Sequence, residues 1–323
     1  MAMLLDDKIL KFFKKEKHAY VSGEELSKVF GISRTAVWKH IEKLRYEGYD
    51  IVASPHLGYR LMSVPDRLSE IELKWQLDVE TIGKKIYSYK EVESTNSAAY
   101  NMAASGEAEG TVVVAEYQTK GRGRLGRKWV SPRDKGAYFS VILRPDILPR
   151  DLSVITLFSS LSVAKTIRET TGLSAFIRWP NDVMIDRQKV CGILTEMSGE
   201  MDKVHFVIVG IGININTKKE LLPEGATSLL IKKGQIVPRV EFVKALLSNL
   251  DKYYRIFSKG NVSGIIKEYK KLSAVLDRRV QINYHNKFIS GHAVDVDKEG
   301  ALILRMDSGF NERILAGEVI ILR

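Results

Sequence analysis

The 323 residues, 36.5 kDa in all, exceed what one core of ordinary size takes, so two or three domains are expected. With 45% hydrophobic and 28% charged residues and a longest apolar run from Phe206 to Ile213, the chain reads as globular and excludes a bilayer-spanning segment or any membrane role. Fifty basic residues against 39 acidic give a net charge of +11, which points to a polyanionic partner or a phosphate-bearing substrate.

The first sixty-five residues read as three helices and a hairpin. Ile9, Phe12 and Phe13 recur at helical spacing, Asp6 and Asp7 stand where a signal peptide carries positive charge, and a cytoplasmic location is expected. Ser22 with Glu25 predicts a capping box for a second helix that Gly31 ends. Ser33 caps a third, with Val37, Ile41 and Leu44 inward and Arg34, Thr35, Lys39 and Lys43 outward. The turn Pro55-His56-Leu57-Gly58 joins two strands into a wing with Arg60 at its edge. This is a winged helix-turn-helix, and Ser33, Arg34, Thr35, Lys39, Lys43 and Arg60 are its candidate DNA contacts. Trp38 is as well placed for partial burial as for a base.

Residues 66–82 read as a linker that holds a short helical stretch between Pro65 and Asp78, with Pro65-Asp66 as a turn signal. From Ile82 strands and helices alternate: a helix over Ser97 to Ala104, strands over Thr111 to Tyr117 and Ala137 to Leu143, and a long helix from Leu152 to Thr171. Short strands follow near Phe176 to Trp179, Met184 to Ile185, Lys189 to Ser198 and His205 to Ile215. Their close connections predict a mixed or antiparallel sheet rather than a doubly wound parallel one. Helices over Val240 to Phe257 and Val262 to Leu272 close residues 83–274. From Arg279 the period changes to two, with turns at His285-Asn286-Lys287 and Asp297 to Gly300, which predicts a small β-barrel over 275–323.

Three clusters carry chemistry. Between Thr119 and Lys135, Lys120, Arg122, Arg124, Arg127, Lys128, Arg133 and Lys135 stand against Asp134 alone, a net +6. Gly121 to Gly126 matches the dinucleotide pattern G-x-G-x-x-G. A phosphate-binding turn of that kind must open a helix, and Trp129, Ser131-Pro132 and Gly136 argue against one. It reads instead as a loop whose backbone approaches a ligand closely while guanidinium groups clamp oxygens. In the second cluster, Arg178-Trp179-Pro180-Asn181-Asp182, Lys189 opens an apolar strand where an ammonium needs an anion, and Gly192 makes room for one. The third, Gly210-Ile211-Gly212-Ile213-Asn214, ends a strand with glycines that mark close backbone approach. Cys191 is alone and the six histidines never fall at ligand spacing, so no structural metal is expected.

The loop G-R-G-R-L-G-R-K-W, the R-W-P-N-D, the K-V-C-G-I-L and the G-I-G-I-N, in that order, resemble the biotin protein ligases. With the winged helix, the chain is similar to the bifunctional type that also acts as biotin operon repressor. The resemblance implies an α+β fold: winged helix-turn-helix, a class II synthetase-like mixed sheet of the biotin/lipoate ligase type, and a C-terminal SH3-like barrel. It implies that biotin and ATP with Mg2+ give biotinyl-5′-adenylate, and that a lysine of a biotin carboxyl carrier protein then displaces AMP. Ser94, Thr95, Asn96, Gln118, Gly121 to Arg124, Lys189 and Gly192 then hold biotin, and Trp129, Asn181 and Asn214 hold the adenylate. Arg122, Arg124 and Lys189 neutralise the reacting anions. Asp182 is the candidate for deprotonating the acceptor amine, of which about one in 2500 is neutral at pH 7. Where the family more often has lysine before Trp-Pro, this chain has Arg178. The adenylate is further implied to act as corepressor and to promote a homodimer on operator DNA. The alternatives are a non-catalytic biotin-sensing regulator and a lipoate or octanoyl ligase on the same fold; the arginine loop with Trp129 argues against the second.

Overall fold

The computed structural model describes residues 5–16, 19–284 and 287–322, and the expected turn at His285-Asn286 lies outside them. The chain divides into two compact units, 1–66 and 67–323. Among the described residues no helix is long and apolar enough to cross a membrane.

The first unit is built from α1 (Leu5–Lys15), α2 (Gly23–Phe30), α3 (Arg34–Tyr46) and a hairpin of β1 (Asp50–Ser54) and β2 (Gly58–Ser63). Ser22 and Ser33 serve as the helix caps that the sequence predicts. Ser22 accepts from the Glu25 amide at 3.0 Å and Ser33 from that of Ala36 at 3.1 Å, satisfying N-terminal donors that helices leave open. Gly31 ends α2 in the left-handed region at φ 65°. Ile9, Leu10, Phe13, Leu26, Val37, Ile41 and Leu44 are buried together with Ile51 and Leu61 of the wing.

The second unit begins earlier than expected. Residues 67–82 carry the expected short helix, α4 (Glu70–Lys74), but are no free linker: Leu68, Leu73 and Ile82 join the core, and the Leu68 amide donates to Glu116 Oε1 at 2.6 Å. Asp251 accepts from the amides of Glu80, Thr81 and Ile82. Glu116 is itself buried and paired with the equally buried Arg239 at 2.5 Å, so the carboxylate that receives Leu68 is not left uncompensated.

In chain order there follow β3 (Ile86–Tyr89), α5 (Thr95–Ala104), β4 (Val112–Ala115), β5 (Gly136–Leu143), α6 (Leu152–Thr171), β6 (Ala175–Arg178), β7 (Asp182–Ile185), β8 (Gln188–Gly199) and β9 (Val204–Asn214). The sheet has the order β3-β4-β5-β9-β8-β7-β6. Only β3 and β4 run parallel, so it is the expected mixed sheet. Next come α7 (Leu229–Lys233), α8 (Arg239–Ser258) and α9 (Val262–Lys271).

The strand period of two sorts residues between the sheet's faces. Along β9, Val207, Val209, Ile211 and Ile213 enter the large core with α6 and α8. Phe206 and Ile208 point the other way, into a smaller core with Ala99 and Ala103 of α5. Gly210, Gly212 and Asn214 continue this second face beyond the cover of α5, and there the site lies.

The C-terminal strands are β10 (Arg278–Tyr284), β11 (Lys287–Val296), β12 (Leu302–Arg305), β13 (Asn311–Ile314) and β14 (Glu318–Ile321). All pairings are antiparallel, in the order β13-β12-β11-β10-β14, the β unit expected from residue 275. It is joined to the large sheet: buried Trp179 donates its Nε1 to the Gly300 carbonyl at 3.0 Å, and the boundary expected at 274/275 falls inside one compact unit.

Candidate functional site

On the open sheet face, bare backbone alternates with the chain's own side chains. Gly192 and Gly212 face each other across β8 and β9. A Cβ on Gly212 would stand 2.5 Å from Trp129 Cε2, and one on Gly192 3.0 Å from Trp129 Cζ3. One step along, a Cβ on Gly210 would stand 1.9 Å from Asn96 Oδ1. The glycines read from sequence as room for a ligand therefore admit Trp129 and Asn96 first. Lys189 and Gly192, three residues apart, share a face because the β7/β8 register slips by one residue between them, a bulge that re-aims a side chain.

Helix α5 brings its N-terminus to the end of this face. The Thr95 amide and hydroxyl both donate to Gln118 Oε1, at 2.9 and 3.2 Å, and Gln118 Nε2 donates to Ser131 Oγ at 2.9 Å. Ser140 Oγ lies 2.9 Å from Thr95 Oγ1 and 2.6 Å from Asn96 Oδ1. Asn96 Nδ2 donates to Glu196 Oε2 at 2.7 Å and to the Leu194 carbonyl at 3.3 Å. Counting donors and acceptors, both amide protons of Asn96 are used within the protein. Gln118 keeps one N–H, and the hydroxyl of Ser94, the N-cap of α5, makes no capping bond. Ser94 and Gln118 thus present the unspent polar atoms, on a rigid frame of Thr95, Asn96 and Ser140.

The arginine loop folds back on itself. Trp129 donates its amide to the Gly121 carbonyl at 2.9 Å and Gly123 to that of Arg127 at 2.7 Å. Arg124 to Gly126 forms a single 3-10 turn with Leu125 at φ 54°, and no helix opens there. Gly121 stays out of the cavity wall: a Cβ on it would meet the Trp129 carbonyl at 2.5 Å and Ser131 Oγ at 2.9 Å. Its visible part is this tight crossing of the loop. Arg122 pairs with Glu196 at 2.8 Å. Arg124 donates to Asn181 Oδ1 at 2.8 Å, and burial lowers its pKa from the free value, partly offset by Asp182 and Glu318. Arg127 grips Glu318 of β14 with two bonds of 2.8 and 2.7 Å.

Asp182 sits between two cations. Its Oδ2 accepts from Arg178 at 2.7 Å; its Oδ1 lies 2.6 Å from Lys189 Nζ, an ion contact off the hydrogen-bonding direction. Lys189 Nζ is also 5.6 Å from the Trp129 ring, within cation–π range. The Lys189 backbone is held by Gly225 and Thr227 at 3.0 and 2.8 Å. Trp129 Nε1 is buried with no partner. Asn181 Nδ2 donates to the Ile193 carbonyl and Asn214 Nδ2 to that of Thr227.

These groups enclose a cavity of about 440 Å³, within the usual range for small-molecule sites. Ser94, Thr95, Asn96 and Gln118 line one part of it. Arg122, Arg124, Arg127, Lys128, Arg178, Arg187 and Lys189 bring cations against Asp182, Glu224 and Glu318; Gly123, Trp129, Asn181, Gly192 and Asn214 complete the predicted set. Sequence reading missed Ser140 and Glu196, each a lone polar residue in an apolar strand, and Arg127 and Arg187. Among the described residues no group of three acidic, histidine or cysteine side chains could hold a metal ion.

In the first unit Arg34, Thr35 and Lys39 are exposed on α3, with half-exposed Trp38 beside them. Ser33 is exposed, and its hydroxyl is engaged as the cap. Lys43 is less free than expected, since it pairs with Asp6, which also takes His40 Nδ1 at 2.6 Å. Arg60 stacks 4.6 Å from the Tyr20 ring centroid.

A sequence profile described as Biotin/lipoate A/B protein ligase family matches residues 88–214, one described as HTH domain residues 7–60, and one described as Biotin protein ligase C terminal domain residues 275–322. The chain is 36% identical to the bifunctional ligase/repressor BirA of Bacillus subtilis over 97% of both chains. It is 30% identical to the protein of that name in Escherichia coli over 92% of both. The biotin protein ligase from Aquifex aeolicus in complex with biotin and ATP superimposes with a TM-score of 0.64 at 31% identity, covering 74% of this chain and 99% of that one.

Proposed function

The chain belongs to the biotin protein ligase family, and from that premise we propose how its own residues perform ligation and repression. Biotin and ATP give biotinyl-5′-AMP, and the biotinyl group passes to a lysine of a biotin carboxyl carrier protein. The observation that carries this reading is a single cavity with unspent neutral polar atoms, Ser94 and Gln118, in one wall and a run of cations in the rest. The first suits a ureido ring, and the second a carboxylate meeting a triphosphate.

In the first step a biotin carboxylate oxygen bonds to the α-phosphorus of ATP and the bond to pyrophosphate breaks. Two anions must approach, and Arg122, Arg124 and Lys189 lower that barrier electrostatically. Lys189 reaches the phosphate by exchanging Asp182 for it, and Arg178 keeps Asp182 in place meanwhile. Trp129 and Asn214 hold the adenine side, and the unpartnered Trp129 Nε1 has a donor to give. Mg2+ would be carried largely by ATP phosphate oxygens, in keeping with its preference for few protein ligands; of the acidic residues that line the cavity, Asp182 is already engaged by Arg178 and Lys189. In the second step the carrier amine bonds to the acyl carbon, AMP leaves, and Asp182 takes the amine proton once Lys189 is on the phosphate.

The winged helix makes the protein a repressor as well, with Arg34, Thr35, Lys39 and Arg60 as DNA contacts, biotinyl-5′-AMP as corepressor, and a homodimer formed when the adenylate is bound. Two half-sites one helical turn apart fit a two-fold pair of such units. The protein works in the cytoplasm. Biotin-dependent exchange of labelled pyrophosphate into ATP tests the first step, and adenylate-dependent retardation of operator DNA tests the second role. Exchange with lipoate or octanoate instead of biotin moves the assignment to that carboxylate; DNA binding without exchange leaves a biotin-sensing regulator.

A further inference from the structure

Glu196 stands near the middle of β8, outside the four motifs. Its neighbour Thr195 hydrogen-bonds Thr156 of α6 on the far face at 2.8 Å, so alternation turns Glu196 to the site. On that sheet face it lies opposite Ile208, whose side chain is buried under α5, next to the stretch that the cavity occupies. The carboxylate is partly exposed and has polar partners on the site side. It has two, on the same oxygen: Asn96 Nδ2 at 2.7 Å and Arg122 Nη2 at 2.8 Å.

We propose that Glu196 is a positioning residue that ties the ligand-recognition end of the cavity to the arginine loop through one carboxylate oxygen. Two physical effects follow from the geometry. An amide can turn over and exchange its oxygen for its nitrogen, and a carboxylate at Nδ2 forbids this for Asn96, because the turned form sets two oxygens together. The same oxygen holds Arg122 down over the site before a ligand arrives, so less ordering remains to be done on binding.

The test uses the full chain and rests on the biotin-binding reading only in its second arm. In the first arm, tryptic cleavage after Arg122 and Arg124 is timed in the free protein. Glu196→Gln keeps an acceptor for Asn96 but loses the charge on Arg122, and cleavage is expected to run about three- to fivefold faster with the melting temperature unchanged. In the second arm biotin affinity is measured by calorimetry. Glu196→Gln is expected to weaken it about fivefold in the natural chain and less than about twofold when Arg122→Ala is also present. Glu196→Leu, which also frees the Asn96 amide, is expected to weaken it roughly fivefold beyond Glu196→Gln in both backgrounds. Unchanged cleavage, an equal effect of Glu196→Gln in both backgrounds, or a Leu variant no worse than the Gln one each overturns the proposal. A natural chain that binds no biotin overturns the functional reading instead, and cleavage then decides on the anchor alone.

Discussion

Adding one methyl group at each of two neighbouring glycines separates a locked side chain from a movable one. In Gly210→Ala the new Cβ stands 1.9 Å from Asn96 Oδ1, where an ordinary carbon–oxygen contact is about 3.3 Å. Asn96 must retreat by roughly 1.4 Å, and its bonds to Ser140 and Glu196 do not survive that displacement. One neutral and one charge-assisted hydrogen bond amount to about 3 kcal/mol, and overpacking adds about 1 kcal/mol or more. A total of about 4 kcal/mol lowers the melting temperature of a unit this size by roughly 8–16 °C. In Gly212→Ala the Cβ stands 2.5 Å from Trp129 Cε2, but that side chain is only partly buried and its Nε1 has no partner, so it can swing away. There the expected cost is about 1 kcal/mol in stability, with ATP affinity weakened about tenfold. Thermal unfolding of both variants, with biotin and ATP titrations, makes the comparison. Equal destabilisation by the two, or Gly210→Ala melting within about 2 °C of the natural chain, would refute the account of this face.

Three further outcomes are expected. Lys189→Met removes the charge placed for the phosphate, and biotin-dependent pyrophosphate exchange should fall about 10²- to 10³-fold with the unfolding transition kept; a loss below tenfold removes Lys189 from the reaction. The Arg127 hydrogen bonds, against the opposing effect of burial and with help from the charges of Arg127, Arg178 and Lys189, hold the Glu318 carboxyl below its ordinary pKa. This link is therefore complete above about pH 4.3 and is lost as pH falls through the lower folded value. Hydrogen exchange of residues 121–129 should show that step, and Glu318→Gln should not. Lys39→Ala should reduce the salt dependence of operator binding by about one phosphate contact; an unchanged slope takes Lys39 off the DNA.

What the sequence made legible follows the range of the interactions. Ser22 and Ser33 each cap an amide three residues on, so the winged helix could be read from neighbours alone. Strands β8 and β9 declared themselves by apolar runs broken by glycine. The stretch 67–82 did not, because what holds it is Glu116 and Asp251, the latter about 170 residues away. In the site, the motifs drew attention to residues that the fold gathers around one cavity, and the neighbours of its glycines come from distant elements. Gly192, Gly210 and Gly212 are needed by Trp129 and Asn96, and nothing local tells a glycine's neighbour from its ligand. Glu196 and Ser140 look like ordinary interruptions of a strand until both faces are known. The hold of Glu318 on Arg127 spans 191 positions and has no motif.

The central claim is the transfer itself, and intact mass spectrometry of a biotin carrier domain tests it directly. The domain is incubated with this protein, biotin, ATP and Mg2+, and with ATP omitted as control. The account predicts a mass gain of one biotinyl group that requires ATP; an unchanged carrier mass, with the protein folded and biotin bound, would contradict it.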